Sequence, residues 1–337
     1  MTTQYFRPLA RTDNPRPPGA LALAGGWVWF DTVECLSRDA PPRLMAAADL
    51  PDDIRHRLTA PRAAVAGLGM DRPRLMGILN VTPDSFSDGG LFDVPDAALA
   101  HARAMAGMVD ILDIGGESTR PGAVDVPAEQ EISRTAPVIR ALRAGGLTVP
   151  ISIDTRKAPV ARAALEAGAS MVNDVSALGF DADLGPLAAR SGVPLCVMHA
   201  QGTPQTMQAD PRYENVLLDV YDYLAARVEQ AEAAGIPRGR IVVDPGIGFG
   251  KTVAHNLALI RGLSLFHGLG CPVLLGASRK GFIGVIGNAR EAADRAPGSI
   301  AVALHGAAQG IQITRIHDAA QTRQAFQVIE AIWGGDG

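Results

Sequence analysis

The sequence is poor in cysteine. Its 337 residues include only three, Cys35, Cys196 and Cys271, and no two of them form a CxxC pair. An odd and scattered set indicates neither a disulfide framework nor a structural zinc site, and it is typical of reduced thiols in the cytosol. We therefore expect a cytoplasmic protein whose core forms without disulfide or metal support.

Clustered charge and long apolar runs are also missing. The chain carries 31 Lys and Arg against 35 Asp and Glu, a net charge of -4, and has no run of five like charges. Nucleic acid held through its phosphates needs a clustered basic face, so we expect no nucleic-acid partner. The amino end has no secretory apolar region, and the stretch 19–30 is glycine-broken and too short to span a bilayer, so we expect no membrane partner.

What the sequence does contain is a strand–helix alternation that begins at Arg74. Ala-rich segments of helical spacing, such as 96–108, 158–167 and 299–308, separate short apolar runs. The eight runs are LMGILNV, VDILDIGG, VPISIDT, SMVNDV, VPLCVMH, RIVVDPG, PVLLGAS and IQITRIH. This alternation predicts parallel strands joined by helices.

Two α/β folds fit that alternation. Residues 74–337 give about 33 residues per unit, which matches a (β/α)8 barrel. An open doubly wound sheet would usually carry a glycine fingerprint after its first strand, whereas this strand ends in Asn80-Val81-Thr82-Pro83. We predict a (β/α)8 TIM barrel over 74–337, preceded by an N-terminal extension or small subdomain of unknown role over 1–73.

Polar residues interrupt the apolar runs near the carboxyl end of almost every predicted strand. They are Asn80; Asp113, Glu117, Thr119 and Arg120; Asp154, Arg156 and Lys157; Asn173 and Asp174; His199; Asp244; Ser278, Arg279 and Lys280; and Arg315 and His317. Any one of them is explained by a helix cap or a turn. Together they indicate a functional site, because barrel enzymes gather their chemistry at this end.

The residue types indicate what this rim binds. The Asp154 and Asp244 carboxylates beside the Asn173 amide suit a flat heterocycle that offers several N–H donors. Lys280, Arg315 and His317, with Arg120 as a further candidate, suit an anionic leaving group. We expect a donor-rich ring linked to a phosphate.

Several familiar motifs are missing or incomplete. VDPGIGFGKT (243–252) lacks the Walker spacing, and we interpret its glycines as a tight turn around Asp244 that lets the backbone approach a ligand. Lys251 is expected at the surface or in local support. His199 suits a hydrogen-bonded core or rim histidine and a ligand contact equally well. No GxSxG, HExxH or Cys–His arrangement supports covalent catalysis.

In this order the motifs resemble those of the dihydropteroate synthase family of pterin-binding barrels. The matching segments are LMGILNVTPDSFSDGG (75–90), ILDIGGESTRPGA (111–123), ISIDTRK (151–157), NDVSAL (173–178), VMHAQGTPQTMQ (197–208), VDPGIGFGK (243–251), GASRKGFIG (276–284) and TRIHD (314–318). The resemblance spans the barrel and leaves out the extension. It implies folate biosynthesis, in which 6-hydroxymethyl-7,8-dihydropterin diphosphate and 4-aminobenzoate condense to 7,8-dihydropteroate and diphosphate.

The resemblance also implies roles for individual residues. Those implied to hold or line the pterin are Asp154, Asn173, Met198, Asp244, Phe249 and Lys280, and Gly276 and Ser278 are further implied to bind substrate. Arg315 and His317 would grip the diphosphate and, with Lys280, serve catalysis. Asn80 would ligate a Mg²⁺ cofactor on the diphosphate oxygens.

Two loops after the first two strands, 82–90 and 119–123, are implied to close over the site. Those implied to frame the aminobenzoate are Phe86, Thr119, Arg120 and Pro121, while Asp84 or Asp88 would stabilise positive charge during catalysis. Many relatives carry Ser where this chain has Gly281. The Gly281 backbone N–H, at the start of a helix, could still receive the aminobenzoate carboxylate, so we expect altered aminobenzoate or sulfonamide affinity with function retained.

Two other functions remain to be distinguished. A methyltetrahydrofolate–corrinoid methyltransferase shares the pterin-binding barrel but holds no diphosphate, so the STRPG and SRK segments favour the synthase. A pterin-binding protein without activity is the non-enzymatic alternative. The resemblance further implies a homodimer.

Overall fold

The residues that precede Arg74 form two small antiparallel sheets and a helix. A computed structural model describes residues 3–81, 94–118, 125–202 and 205–334 of the chain. The elements of this first part are β1 (Tyr5–Pro8), β2 (Leu21–Ala22), β3 (Trp29–Phe30), β4 (Thr32–Leu36), β5 (Arg43–Ala46) and α1 (Asp52–Thr59). β4 lies between β1 and β5, and β2 pairs with β3. Buried Leu23, Val28, Phe30, Val33 and Leu58 form its core.

Eight parallel strands alternate with helices in the rest of the chain. The strands are β6 (Arg74–Asn80), β7 (Ile111–Gly115), β8 (Ile151–Asp154), β9 (Met171–Asp174), β10 (Leu195–Met198), β11 (Ile241–Asp244), β12 (Leu274–Leu275) and β13 (Ile313–Ile316). The helices are α2 (Val94–Ala106), α3 (Ala128–Ala144), α4 (Ala158–Ala167), α5 (Leu184–Ser191), α6 (Val216–Ala233), α7 (Val253–Arg261), α8 (Gly281–Gly287), α9 (Ala296–Ala308) and α10 (Ala319–Trp333). Each of the eight predicted runs holds one strand.

The sheet closes on itself. Strands β6 to β11 pair in sequence order, and β13 pairs with both β6 and β12. Between β11 and β12 the circuit is completed by a parallel bridge of Val243 with Val273, where Val243 N donates to Pro272 O at 3.0 Å. The predicted (β/α)8 barrel is therefore confirmed, and the open-sheet alternative is wrong.

Local sequence explains where several helices begin and end. The Asn215 side chain accepts hydrogen bonds from the Leu217 and Leu218 amides at the start of α6, and Thr252 accepts one from His255 N at the start of α7. Helix α4 ends at Gly168, whose φ of +113° is open to glycine and costly for other residues. The strands are buried on both faces, which explains their nearly continuous apolar runs.

The amino end of the barrel is filled by apolar side chains. Val65 and Met70 come from the segment before β6 and pack under residues contributed by the strands. These strand residues are Met76, Ile111, Met171, Cys196, Val242, Leu274 and Ile313. We call this group the bottom cluster. A tight turn with Ala66 and Gly67 at positive φ joins Val65 to Leu68 and brings the segment under the barrel.

Residues before Arg74 also form hydrogen bonds with the outer helices. On α6, Asp222 accepts a hydrogen bond from Tyr5 Oη at 2.8 Å, and Asp219 accepts one from Arg38 at 2.7 Å. The Trp27 indole donates to Ala307 O of α9 at 2.9 Å. These contacts hold the two small sheets against the outer helices of the barrel.

Among the described helices, none has the length and apolar character needed to cross a membrane.

The bottom cluster yields a stability prediction. Met70 is 2% exposed, so Met70→Ala leaves a cavity under the barrel and is expected to lower the free energy of unfolding by about 2–5 kcal/mol. Leu44→Ala is the control, because Leu44 is 65% exposed and its truncation should cost less than about 0.5 kcal/mol. Urea denaturation of the three proteins tests this, and equal midpoints for the two variants would contradict the packing described.

Candidate functional site

Strand register brings the predicted polar residues to one level of the barrel mouth. Asn80 lies opposite Gly115, Gly115 opposite Asp154, and Asp154 opposite Asn173 on four consecutive strands. Asp244 ends β11, and Arg315 lies in β13 on the other side of the mouth. The sequence places a polar residue at each strand end, and closure of the barrel turns these ends into one rim.

Arg315 ties together the side chains on three strands. Its Nε donates to Asp113 Oδ2 at 2.5 Å, and its Nη2 donates to Asp154 Oδ2 at 2.7 Å. Asn173 Nδ2 donates to the same Asp113 oxygen at 3.2 Å. Three of the predicted ligand-binding residues, Asp154, Asn173 and Arg315, therefore form one hydrogen-bonded group with Asp113 at its centre.

A second group lies beside the first. Asp244 Oδ1 accepts a hydrogen bond from Gly246 N at 2.7 Å. A Cβ on Gly276 would stand 3.4 Å from Asp244 Oδ2 and 4.0 Å from Arg315 Cβ, so glycine keeps the space between these two side chains open. Buried Met198 lies opposite Asp244 in the register of β10 and β11.

Lys280 reaches this group from the loop after β12. Its Nζ lies 4.2 Å from the centroid of the Phe249 ring and donates to Ile247 O. A cation over an aromatic face is attracted by the ring and is fixed in direction. Lys280 and Phe249, both predicted at the pterin slot, are thus in contact with each other.

Burial dominates the electrostatics of the site. It raises the pKa of Asp154 to about 7 despite the opposing effect of Arg315, and it raises the pKa of Asp244 against the effect of Lys280. Burial also lowers the pKa of Lys280 to about 7, although Asp244 acts in the opposite direction. A ligand that supplies N–H donors to the acids and an anion to the lysine would favour the charged form of each.

The pKa of Arg315 is raised, in contrast to that of Lys280. Burial alone would lower it, but the Asp113 and Asp154 carboxylates together raise it above its ordinary value. Arg315 therefore stays a cation inside the barrel mouth.

The glycine-rich segment 243–252 is a tight turn, as predicted, but it packs against the chain itself. Gly246, Gly248 and Gly250 all have positive φ. A Cβ on Gly246 would stand 1.8 Å from His199 O, and one on Gly250 would stand 2.6 Å from Gln201 O. Gly246 and Gly250 therefore have to be glycine because their backbone lies close to the loop after β10.

Lys251 and His199 support that turn from below. Lys251 is buried and its Nζ donates to Gly246 O at 2.8 Å and Phe249 O at 2.9 Å, with His199 Nδ1 at 2.8 Å. Of the two predictions for Lys251, local support is confirmed and a surface position is wrong. His199 is buried and hydrogen-bonded, as the first of its two alternatives predicts, and its ring contacts Tyr223 with centroids 4.7 Å apart.

Ser278, in the loop after β12, lies against His317, which follows β13. Ser278 Oγ accepts the His317 backbone N–H at 3.2 Å and lies 3.0 Å from His317 Nδ1. Arg279 has a positive φ, and its guanidinium pairs with Asp318. Gly281 is the first residue of α8, and a Cβ there would meet nothing within 4 Å.

Asn80 is the one residue predicted to bind the metal ion. It is half-buried at the end of β6, and its side chain has no hydrogen-bond partner in the part of the chain that the structure describes. Within that same part, no three His, Cys, Asp or Glu side chains are grouped to hold a metal ion. An amide oxygen with no protein cage fits Mg²⁺ brought in on a substrate phosphate, because Mg²⁺ keeps most of its ligands as water and phosphate.

Six predicted residues fall outside the described ranges. They are Asp84, Phe86, Asp88, Thr119, Arg120 and Pro121, and their assignments stay predictions.

Two features of the site involve residues that belong to the predicted rim set but had no individual role predicted. Asp113 is at the centre of the site, and the alternation Ile111, Asp113, Gly115 indicates its inward position. Ile111 belongs to the bottom cluster inside the barrel, so the residue two positions later also points inward. The other feature is a buried ion network, in which Lys157 Nζ lies 2.9 Å from Glu117 and 2.8 Å from Glu131.

Comparisons with known proteins agree with this geometry. Residues 76–317 match the family described as pterin binding enzyme. A dihydropteroate synthase of Escherichia coli strain K12 is 43% identical over 265 residues, which cover 78% of this chain and 93% of that protein. Similar solved structures include two of dihydropteroate synthase from Xanthomonas albilineans. The one with 4-aminobenzoic acid has a TM-score of 0.77, 44% identity and coverage of 82% of this chain and 99% of that chain. The one with 7,8-dihydropteroate has a TM-score of 0.74, 42% identity and coverage of 82% and 100%.

The buried state of His199 predicts a pH dependence of stability. Burial, followed by the Lys251 ammonium, lowers the pKa of His199 to about 3, whereas the unfolded chain protonates this residue near pH 6.5. The folded state therefore binds fewer protons between these values, so His199 stabilises the fold above about pH 6.5 and loses that contribution as the pH falls toward 3. His199→Gln is expected to weaken the acid sensitivity of unfolding.

The measurement is the free energy of unfolding in urea between pH 7 and pH 4. The matched control is His56→Gln, since His56 lies exposed on α1 and its replacement should leave the pH profile unchanged. A constant difference between wild type and His199→Gln across this range would contradict the assignment.

Proposed function

The chain belongs to the dihydropteroate synthase family of pterin-binding enzymes, and we propose how its residues condense 6-hydroxymethyl-7,8-dihydropterin diphosphate with 4-aminobenzoate. The proposal rests on one observation: acceptor oxygens and cations lie together in the barrel mouth, where Arg315 donates hydrogen bonds to Asp113 and Asp154.

Pterin recognition falls to the carboxylates and the amide. Asp154, Asn173 and Asp244 offer oxygens at the rim, and an aminopyrimidine edge offers N–H donors. Asp244 has one oxygen engaged by Gly246 N and the other beside the open position at Gly276. Met198, Phe249 and the Lys280 stem would line the flat faces of the ring, while Ser278 sets His317 at the edge of the slot.

Diphosphate binding falls to the cations. Arg315 uses Nε and Nη2 on Asp113 and Asp154, which leaves Nη1 without a partner among the described residues and available for a phosphate oxygen. Lys280 and His317 would add donors on the same side. These groups would neutralise the charge that develops on the leaving diphosphate and so lower the activation barrier to C–O cleavage.

Asn80 would hold a magnesium ion through its amide oxygen, with the diphosphate supplying further ligands. When bound there, the ion neutralises charge on the leaving group.

The chemistry is one substitution at the exocyclic methylene of the pterin. The carbon–oxygen bond to diphosphate breaks and its electron pair leaves with the diphosphate, while the electron-rich ring spreads the positive charge on the methylene. The amine lone pair of 4-aminobenzoate then forms the carbon–nitrogen bond, and the amine proton goes to water or diphosphate. Positioning and exclusion of water by the site supply most of the acceleration, with a minor part for general base catalysis.

The aminobenzoate subsite is proposed from the family resemblance. Phe86, Thr119, Arg120 and Pro121 would frame this substrate, with Asp84 or Asp88 near the charge that develops on the pterin. A relative described with 4-aminobenzoic acid supports a subsite of this kind. The open space at Gly281 supports a carboxylate contact through backbone N–H alone, and hence an affinity for aminobenzoate and sulfonamides different from that of relatives with Ser.

We also propose a cytoplasmic homodimer. All three cysteines are buried and free, as expected in a reducing compartment. Val285 and Ile286 on α8 and Val328 and Ile332 on α10 are exposed, and both helices pack against α9. Exposed apolar residues on neighbouring helices suit a contact with a second copy of the chain.

The activity is tested by mixing both substrates with Mg²⁺ and the purified protein. The proposal expects diphosphate release and 7,8-dihydropteroate in equal amounts. Release of neither product would overturn it. A corrinoid methyltransferase would instead act on methyltetrahydrofolate, and a binding protein would retain the pterin and form no dihydropteroate.

Asp244→Asn is predicted to weaken pterin binding. The variant can keep the hydrogen bond from Gly246 N through its carbonyl oxygen, but it replaces the second acceptor by an N–H2 group. Loss of a hydrogen bond to a charged group costs about 1.5–3 kcal/mol, so the Kd should rise by about 10- to 100-fold in calorimetric titration. Asp210→Asn on the exposed loop is the control and should bind normally. Unchanged affinity in Asp244→Asn would remove this residue from the pterin site.

Asn80→Ala is predicted to raise the Mg²⁺ concentration needed for half-maximal activity while leaving the fold intact. The amide oxygen is the single protein ligand proposed, and the side chain has no hydrogen-bond partner among the described residues that its loss would leave unpaired. Magnesium titrations of the initial rate provide the measurement, with circular dichroism as the check on folding. A titration curve identical to that of wild type would exclude Asn80 as a ligand.

A further inference from the structure

Asp113 is a fully buried carboxylate to which the proposed reaction gives no task. It lies in β7 two residues before Gly115, with its side chain inside the barrel below the rim. An ionised group at this depth is costly unless it is paired, so its presence calls for an explanation.

The contacts of Asp113 are unequal. Its Oδ2 accepts hydrogen bonds from Arg315 Nε at 2.5 Å and Asn173 Nδ2 at 3.2 Å, whereas its buried Oδ1 has no hydrogen-bond partner among the described residues. A carboxylate kept only for stability would be expected to have both oxygens satisfied. Both donors on Asp113 belong to side chains proposed to touch the substrate.

The first contact sets the orientation of Asn173. A carboxylate only accepts hydrogen bonds, so the amide atom that lies against Asp113 must be the nitrogen. The Asn173 oxygen is then the atom left for a ligand. In this orientation Asn173 matches Asp154 and Asp244, since all three present acceptors to the mouth.

The second contact sets the orientation of Arg315. Because Nε is held by Asp113 and Nη2 by Asp154, the guanidinium is fixed edge-on to the two carboxylates. Its Nη1 is the nitrogen that remains for an anion. One carboxylate below the rim therefore controls which atom each of two ligand-binding groups presents.

We propose that Asp113 is a positioning residue that fixes the hydrogen-bond polarity of the site, so that Asn173 offers an oxygen and selects a ring edge rich in N–H donors. This inference rests on the proposed function, and it adds the residue that makes the site selective for donor-rich heterocycles.

Asp113→Asn tests the proposal. The new amide has nearly the same shape but can donate, so Asn173 is free to turn over and present N–H2 to the ligand. With 6-hydroxymethyl-7,8-dihydropterin as the calorimetric probe, the Kd is expected to rise about tenfold or more. In an Asn173→Ala background the same substitution should change the Kd by less than about threefold, because its effect passes through Asn173.

Asp110→Asn is the matched control. Asp110 lies just before β7, at the opposite end of the barrel, and pairs with Arg323 at 2.5 Å, the same distance as Asp113 with Arg315. It should lower thermal stability without changing pterin affinity. Should Asp113→Asn fail to fold, Asn173→Asp replaces it, since that variant keeps an acceptor but loses the donor against Asp113 and is also expected to bind weakly.

The outcomes separate the two hypotheses. A wild-type protein that binds no dihydropterin and forms no dihydropteroate overturns the proposed function and this inference with it. An active wild type whose Asp113→Asn variant, or the substitute Asn173→Asp, binds dihydropterin normally overturns the inference alone. If Asp113→Asn weakens binding equally in the wild-type and Asn173→Ala backgrounds, the inference is also overturned. The effect of Asp113 would then not pass through Asn173.

Discussion

The site depends on the pairing of one buried cation with two buried carboxylates. Arg315 lies between Asp113 and Asp154 and donates to both, which offsets part of the cost of burying the two acidic side chains. The balance is incomplete, since burial still raises the pKa of Asp154 to about 7 and lowers that of Lys280 to about 7. A site poised in this way gains from a substrate that carries N–H donors at one end and negative charge at the other.

The barrel provides this pairing through its register. Consecutive strands set Asn80, Gly115, Asp154 and Asn173 at one level, and Arg315 reaches them only because β13 closes the sheet against β6. A second set of hydrogen bonds supports this rim, because Lys251 donates to Gly246 O and Phe249 O in the glycine turn beside Asp244. The bottom cluster fills the other end and leaves the mouth for the substrate.

The sequence predicts the fold well because parallel strands buried on both faces produce apolar runs, and each run ends in a polar residue at the rim. Asp154, Asn173 and Asp244 could be found in this way. Lys251 could not, because a lysine in a glycine-rich loop is usually exposed, and only its three contacts show that it is buried. The segment before β6 also gave no signal of its place under the barrel, since Val65 and Met70 stand in no periodic pattern. Asp113 was visible as a strand residue, but its connection to Asn173 and Arg315 joins positions 60 and 202 residues apart.

The most direct test of the account is a crystal structure of the protein with a non-hydrolysable dihydropterin diphosphate analogue. We expect the ring edge within hydrogen-bond distance of Asp154, Asn173 Oδ1 and Asp244, with the diphosphate against Arg315 and Lys280. A ring bound away from these three side chains, or one that meets the nitrogen of Asn173, would contradict it.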